Sequence, residues 1–395
     1  MGNRFPAGGY LEKILRVDLT ERRIIDETVC ADVLHQFIGG TGLGIRLLYD
    51  ELKPGIDPYS PENRVIFATG PVTGTMVPGS GTYSVISKNT LTGLVAAAQA
   101  NGFFGARLKY SGYDAVVVQG RSDRPVYLHI CDGKAELEDA SDLVGKDTFE
   151  TDMLLHRKYG EDGVEHGISV AAIGPAGENL VRYACIVSDR GHVASSGGVG
   201  AIMGSKNLKA IVVRGKHGVP IHSSNVKSYL ENVKQWVEEA KSSSMGKLVS
   251  NYGSIGFFVP YHSRGWVPVK NLTTNIFAGE EVFEAEYIRG RLHHVQPRSC
   301  HGCTFYHCHT VEVAKGTYKG VVGESQHVLR SVPQKRLSLF NRKHFTQRPR
   351  LCKWRAFPFY PGGIGKSYGN PNRGNNCSCE SFWASQEVLS AGFLK

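Results

Sequence analysis

Short apolar runs, alternating with polar residues or ending at glycines, dominate the first 215 residues and predict a strand-rich domain. Residues 125–137 are typical of a hairpin that turns at Asp132-Gly133, since this dipeptide suits a two-residue turn. Further strands are predicted at residues 14–20, 64–69, 115–119, 167–173 and 209–213. Helices are fewer here, and they are predicted at residues 42–52, 104–110 and 148–158.

Residues 224–244 differ in kind, because Val226, Leu230, Val233 and Val237 fall at helical spacing with Lys and Glu between them. A second, mainly helical region therefore begins near residue 220. Another helix is predicted at residues 283–295. The fold class that these patterns predict is α+β, with a β-rich amino-terminal part followed by helices.

The formal charge of +10 is confined to one end of the chain. Residues 325–395 contain 12 Lys and Arg against 2 Asp and Glu, so the preceding 324 residues are neutral. This segment has no sustained periodicity and is rich in basic and polar residues, so we expect it to be poorly packed or disordered. A basic tail can bind polyanions, but with a neutral body we do not expect nucleic acid to be the partner.

Three of the nine cysteines, Cys300, Cys303 and Cys308, lie within nine residues and indicate a metal site. Such a turn suits either a zinc ion, with an interleaved histidine as fourth ligand, or a 4Fe-4S cluster. A loop of unpaired thiols is the remaining alternative. The other six cysteines are scattered and the total is odd, which favours a reducing compartment. No signal-peptide pattern or membrane-spanning run is present, so we expect a cytoplasmic protein.

Three glycine-rich or small-residue segments are candidates for ligand binding. Residues 39–44 open a helix but lack the G-x-G-x-x-G spacing, so a dinucleotide site is not expected. Residues 191–200 carry Ser and Gly that suit phosphate or a heterocycle edge, yet a tight crossing of two strands explains them equally well. Residues 96–105 have the same ambiguity.

Four motifs, at residues 68–74, 101–114, 174–180 and 197–210, resemble the tungsten-containing aldehyde:ferredoxin oxidoreductase family. The match is in order and covers roughly residues 8–324. The resemblance implies a base domain of two β-sheets under a tungsten (or molybdenum) bis-pterin cofactor, with helical domains over it and a 4Fe-4S cluster beside a pterin. It predicts a pterin-cofactor base domain at residues 1–215, the start of a helical iron-sulfur domain at 216–324 and an aberrant tail at 325–395.

The resemblance also implies which residues of this chain bind the cluster and the pterin. The resemblance makes Cys300, Cys303 and Cys308 the cluster ligands, although the third cysteine stands one position later than is usual in the family. The predicted pterin contacts are Thr82, Gln99, Asn101, His192, Val193, Ser195 and Ser196. The family has arginines at three of these positions, those of Thr82, His192 and Ser196, so cofactor anchoring should differ here. No residue is assigned as catalytic.

The resemblance stops near Glu324, where family members continue with an acidic segment and a long helical half. We expect an incomplete copy, truncated by a reading-frame shift. The implied activity is oxidation of a small aldehyde to the carboxylic acid, with ferredoxin or a related electron-transfer subunit as partner. A homodimer is left open. The alternatives are a structural zinc or nucleic-acid-binding protein that uses the three cysteines, and an inert fragment without cofactor.

Overall fold

The structure is a computed structural model. It describes residues 8–159, 167–221, 225–267, 269, 273–276, 280–290, 292–313, 319 and 322–324. The chain divides into two compact units, the first made of residues 1–247 and 299–306 and the second of residues 248–298 and 307–395. The predictions made for the tail, residues 325–395, lie outside the described residues.

The described part of the chain contains ten α-helices and fifteen β-strands. The helices are α1 (Ala31–Phe37), α2 (Gly40–Glu51), α3 (Phe104–Tyr110), α4 (Thr148–Lys158), α5 (Pro175–Glu178), α6 (Val199–Ser205), α7 (Val226–Ser242), α8 (Ser244–Tyr252), α9 (Phe258–Ser263) and α10 (Ala285–Arg289). The strands are β1 (Lys13–Asp18), β2 (Arg23–Thr28), β3 (Val65–Ala68), β4 (Tyr83–Lys88), β5 (Val95–Ala100), β6 (Ala115–Gln119), β7 (Val126–Cys131), β8 (Lys134–Asp139), β9 (Ile168–Ala172), β10 (Ile186–Ser188), β11 (His192–Ala194), β12 (Leu208–Arg214), β13 (Leu292–Arg298), β14 (Cys308–Val313) and β15 (Val322–Glu324).

Two six-stranded sheets form the first unit, in the orders β2-β1-β6-β3-β4-β5 and β11-β10-β9-β12-β7-β8. Each sheet contains one parallel pair, β1 with β6 and β7 with β12, and the other pairs are antiparallel. The predicted α+β class and the two-sheet arrangement are confirmed. Among the described residues, no helix combines the length and the apolar character needed to cross a membrane.

A single apolar core joins the inner faces of the two sheets. Side chains such as Phe67 and Val85 of the first sheet share it with Leu128 and Ile211 of the second. Helices α3 and α6 also contribute, through buried residues such as Phe104. The outer face of the first sheet is covered by α1 and α2, and that of the second by α4. Burial on both faces explains why central strands such as β3 and β6 are continuous apolar runs.

The local patterns predicted about half of these elements, among them α3, α4 and the β7–β8 hairpin. Helices α3 and α4 begin and end where the sequence places them, and the β7–β8 hairpin turns at Asp132 and Gly133, which both have positive φ. The glycine segment at residues 39–44 lies at the start of α2 and follows helix α1, as expected for a segment that is not a dinucleotide fingerprint.

The helix predicted at residues 283–295 is wrong for its second half. Helix α10 is only five residues long, and the chain then forms strand β13, which pairs antiparallel with β14. Strand β14 pairs in turn with β15 to give a three-stranded sheet in the second unit. The pairing of β13 with residues 308–313 cannot be read from the sequence of β13 itself, and the spacing of its apolar residues favoured a helix.

Candidate functional site

Thr82, Gln99 and Asn101 lie together at one end of the β4–β5 pair. Tyr83 pairs with Ala100 across the two strands, so the residues that flank this pair face each other. The Thr82 hydroxyl Oγ1 donates to Asn101 Oδ1 at 2.7 Å, and Gln99 Nε2 donates to Thr41 Oγ1 at 3.4 Å. Both Gln99 and Asn101 are exposed. The structure therefore brings three of the predicted pterin positions to one polar, accessible edge of the first sheet.

The other four predicted positions lie on or just after β11, the edge strand of the second sheet. This strand packs against β5, so the two groups of predicted positions are neighbours within the first unit. His192 is buried, whereas Val193, Ser195 and Ser196 are partly exposed. The Ser195 hydroxyl is inaccessible and has no hydrogen-bond partner in the structure. A buried hydroxyl that lacks a partner fits a site where a ligand atom would complete its bonding.

Asp189 holds the backbone just after Asn101 in place, at the start of α3. This residue was not among the positions predicted from the sequence. It lies in the turn between β10 and β11 and is fully buried. Its Oδ2 accepts the backbone N–H groups of Phe103, at 2.6 Å, and Phe104, at 3.2 Å, at the start of α3. Burial raises the pKa of Asp189 to about 6, although hydrogen bonds from Ser169 and Phe103 act in the opposite direction. The sequence signal was weak: an acidic residue that stands two positions before the small-residue segment at 191–200.

Gly102 lies against Asp189, and its lack of a side chain lets the backbone run close to the buried Asp189 and His192 side chains. Its φ is +101°, and a Cβ at this position would lie 2.5 Å from Asp189 Oδ2 and 2.6 Å from His192 Cδ2. No side chain fits there without displacing a buried group. The segment from Asn101 to Phe104 therefore depends on glycine both for its backbone conformation and for its close packing.

The cysteine turn, defined here as residues 299–306, belongs to the first unit. Within it the Cys303 N–H donates to the Cys300 carbonyl at 3.0 Å, and Gly302 has a φ of +65°. The His301 N–H donates to the Gly102 carbonyl at 3.1 Å. Cys300 is buried, with its Sγ 4.0 Å from both ring nitrogens of His192. The turn thus contacts His192, a predicted pterin position, and Gly102, which is next to the predicted position Asn101.

His301, between the two cysteines of the turn, bonds to the base domain. Its Nε2 lies 3.2 Å from Tyr110 Oη, and Tyr110 donates its own proton to the Gly74 carbonyl at 2.6 Å. Because a hydroxyl has a single proton, the imidazole is the donor in the first contact. Burial lowers the pKa of His301, and the carbonyl groups of Gly74 and Thr75 partly oppose this.

Cys308 is buried and begins strand β14 in the second unit. Within the described ranges, no group of three or more His, Cys, Asp or Glu side chains is arranged to hold a metal ion. The ligand set Cys300, Cys303 and Cys308 therefore stays a prediction.

Comparison with known families decides where the chain belongs. Residues 14–215 match the model of the aldehyde ferredoxin oxidoreductase N-terminal domain, and residues 231–331 match that of domains 2 and 3 of the same enzyme. The chain belongs to the aldehyde ferredoxin oxidoreductase family. The family that the sequence motifs resemble is thereby confirmed.

Curated relatives of this aldehyde ferredoxin oxidoreductase family member are about twice its matched length. A tungsten-containing aldehyde ferredoxin oxidoreductase of Pyrococcus abyssi is 40% identical over 301 residues, which cover 75% of this chain and 48% of the relative. The WOR-like subunit of an aliphatic sulfonate oxidoreductase of Pyrococcus furiosus is 33% identical over 284 residues, covering 69% of this chain and 45% of the relative. The chain thus spans about half the length of the relatives it matches.

A solved structure has a similar fold. The active site complex BamBC of benzoyl coenzyme A reductase, bound to 1,5-dienoyl-CoA, superposes with a TM-score of 0.67 at 30% identity. The alignment covers 80% of this chain and 49% of that chain. These comparisons give no support to a structural zinc or nucleic-acid-binding protein.

Proposed function

We propose that this chain supplies the cofactor base and the predicted cluster ligands, Cys300, Cys303 and Cys308, of an aldehyde:ferredoxin oxidoreductase. The reaction converts an aldehyde and water into a carboxylic acid, two protons and two electrons. A tungsten (or molybdenum) bis-pterin group would accept the electron pair, and a 4Fe-4S cluster would pass single electrons to ferredoxin. The protein holds these groups and adjusts their potentials.

The proposal rests chiefly on the meeting of the cysteine turn with the predicted pterin positions. The turn bonds to Gly102, next to Asn101, and Cys300 lies against His192 in the same unit. Electron transfer between a pterin and a cluster requires adjacent binding sites, and this arrangement supports that requirement.

The residues of the chain fit both groups. Thiol side chains two residues apart on a turn suit iron. The exposed Gln99 and Asn101 amides provide donors and acceptors for the heterocycle edge of a pterin, and the Ser195 hydroxyl is available for one more bond. Thr82 and Ser196 stand where the resemblance implies arginines, so backbone amides and neutral groups would contact the cofactor phosphates instead of cations.

Metal and cofactor analysis tests the proposal directly. The 395-residue chain would be produced with tungstate or molybdate, purified without oxygen and reconstituted with iron and sulfide. We expect a brown protein with cubane-type absorption, and a fluorescent pterin derivative after oxidation and extraction. A colourless protein that contains stoichiometric zinc would instead support the zinc alternative and overturn the proposal.

Replacement of a single ligand gives a sharper prediction. Cys303→Ser should abolish iron binding during anaerobic reconstitution, because serine is a poor ligand for a cubane and Cys303 lies on the preformed turn. Iron and acid-labile sulfide are measured, with Cys131→Ser as the matched control at a cysteine of the β7–β8 hairpin. Unchanged iron in Cys303→Ser, together with loss in Cys131→Ser, would contradict the ligand assignment.

A further inference from the structure

The cysteine turn is attached to the base domain through His301 at more than one point. Its backbone N–H donates to the Gly102 carbonyl at 3.1 Å, and its imidazole Nε2 lies 3.2 Å from Tyr110 Oη. The imidazole also makes edge-on contacts with two aromatic rings, at centroid distances of 5.8 Å to Tyr110 and 6.3 Å to Phe103. The backbone N–H, the Nε2 atom and the ring of His301 therefore all contact the same region of the first unit, at Gly102, Phe103 and Tyr110.

Tyr110 completes a relay of hydrogen bonds. It is the last residue of α3 and is partly buried. The His301 N–H donates to Tyr110 Oη, and Tyr110 O–H donates to the Gly74 carbonyl at 2.6 Å. The relay links the turn to the loop after β3 and to the end of α3. Asp189 holds the other end of this helix through Phe103 and Phe104, so both ends of α3 are anchored.

Close packing on both sides of His301 leaves the turn little room. A Cβ on Gly81 would lie 3.3 Å from His301 Cβ and 2.1 Å from the Gly102 carbonyl oxygen. A Cβ on Gly302 would lie 2.6 Å from Ser80 Oγ. The two glycines allow the turn to lie directly on the loop at residues 79–82.

We propose that Tyr110 and His301 form a docking pair that fixes the cysteine turn on the base domain, with His301 acting as a positioning residue for Cys300 and Cys303. The Nε2 proton bonds to Tyr110, so Nε2 is not available as a metal ligand. The consequence for cluster potential rests on the function proposed above. The docking itself does not depend on that proposed function, because the contacts between Tyr110 and His301 form in the chain without metal.

Thiol accessibility tests the docking in the metal-free chain. Cys300 is only 4% exposed while the turn is docked. Tyr110→Phe and His301→Ala each remove the hydrogen bond between the pair, so alkylation of Cys300 should become roughly five- to tenfold faster. Modification is followed peptide by peptide by mass spectrometry. Tyr306→Phe is the matched control, since Tyr306 is an exposed residue of the same turn and its variant should keep the parent rate.

Redox titration tests the positioning role in the reconstituted chain. Both variants should shift the midpoint potential to more positive values and broaden the EPR signal of the reduced cluster, because an undocked turn admits water. His301→Gln, which retains an N–H donor able to reach Tyr110, should restore most of the parent potential. Far-UV circular dichroism and the urea midpoint confirm that each variant folds.

The outcomes separate the two proposals. A parent chain that binds no iron overturns the proposed function, while faster alkylation in both variants still supports docking. Alkylation rates equal to the parent rate in Tyr110→Phe and His301→Ala overturn docking. A turn that opens without any change in potential or EPR signal overturns the positioning role. Metal loss in His301→Ala alone, with Tyr110→Phe unaffected, would make His301 a ligand and overturn the proposal.

Discussion

Several charged side chains of the base domain are buried and bonded to backbone groups. Lys206 is fully buried, and its Nζ donates to the carbonyls of Pro61, Asn63 and Gly120 at 3.2, 2.6 and 3.1 Å. Burial lowers the pKa of Lys206 to about 7, while three carbonyl acceptors favour the protonated form. Lys206 follows α6, and its acceptors flank β3 and β6, so one ammonium group ties the two sheets together. Its role in the glycine-rich motif is structural.

Removal of this ammonium group should be costly. Lys206→Met keeps most of the length of the side chain but removes the donor that the buried carbonyls of Asn63 and Gly120 share, which we expect to lower the free energy of unfolding by about 3–5 kcal/mol. Urea denaturation followed by circular dichroism measures the loss. Lys227→Met is the control, because Lys227 is exposed on α7 and should change stability by less than about 0.5 kcal/mol. Equal stability of the two variants would refute the structural role.

Asp189 should make stability depend on pH. Burial, reinforced by the nearby Asp152 carboxylate, raises its pKa from 3.8 to about 6 in the folded chain. Folding therefore favours the protonated form, and this stabilisation is complete below about pH 4 and is lost as the pH rises through 6. The free energy of unfolding should fall by up to about 1.4 kcal/mol per pH unit across this window. Urea titrations between pH 4 and 7 measure it.

Asp189→Asn provides the comparison for this titration. The amide cannot ionise, so the difference in stability between parent and variant should change across pH 4–6, after which it should be constant. A difference that is independent of pH would mean that the pKa of Asp189 is the same in the folded and unfolded chain.

At the scale of elements, helix α3 organises the candidate site. Asp189 caps its first turn, and Tyr110 at its last residue bonds to the cysteine turn. Gly102, just before the helix, accepts the His301 N–H and lies against His192. Helix α3 therefore contacts the region of the predicted pterin positions at one end and the turn with the predicted cluster ligands at the other. A displacement of its amino-terminal end should be transmitted to both.

Gly102→Ala tests this relation. Alanine combines an unfavourable φ with contacts of 2.5 and 2.6 Å to buried groups, so it should destabilise the chain by more than about 2 kcal/mol. Gly133→Ala is a matched control, because Gly133 also has a positive φ, +84°, but a Cβ there meets nothing within 4 Å. The control should lose only about 1 kcal/mol. Similar losses in urea denaturation would show that packing at Gly102 is not restrictive.

At the scale of the whole molecule, the chain matches only part of the length of its relatives. The matched segment corresponds to 48% of the Pyrococcus abyssi relative. The predicted cofactor positions of the base lie partly on an exposed sheet edge. Aldehyde oxidation requires a closed, dry cavity with donors aimed at the developing charge. The predicted domain boundaries at residues 215 and 324 stay predictions.

These 395 residues alone should therefore show no aldehyde-dependent reduction of a viologen dye under argon, even when produced with tungstate or molybdate. The Pyrococcus abyssi relative, assayed in parallel, is the positive control. Iron and pterin contents are measured on the same samples, so that missing cofactor and missing activity are distinguished. Robust turnover by the chain with bound pterin would contradict this expectation.

Local sequence patterns were enough to predict several elements and the family. Helices α3 and α4 and the β7–β8 hairpin were predictable because side-chain periodicity and turn chemistry depend on neighbouring residues. The clustering of Cys300 and Cys303 was likewise visible, as were the small-residue motifs that mark the family.

The contacts that hold the candidate site together depend on the three-dimensional fold. His301 and Tyr110 are 191 positions apart, and Asp189 is 86 positions from Phe103, so no local pattern records their contacts. The same reason explains strand β13, whose pairing with β14 replaced the predicted helix. Interleaved histidines suggested zinc ligands from spacing alone, whereas packing directs the His301 ring toward Tyr110. Such long-range hydrogen bonds form only after the two sheets and helix α3 have packed together and brought the bonded residues close to each other.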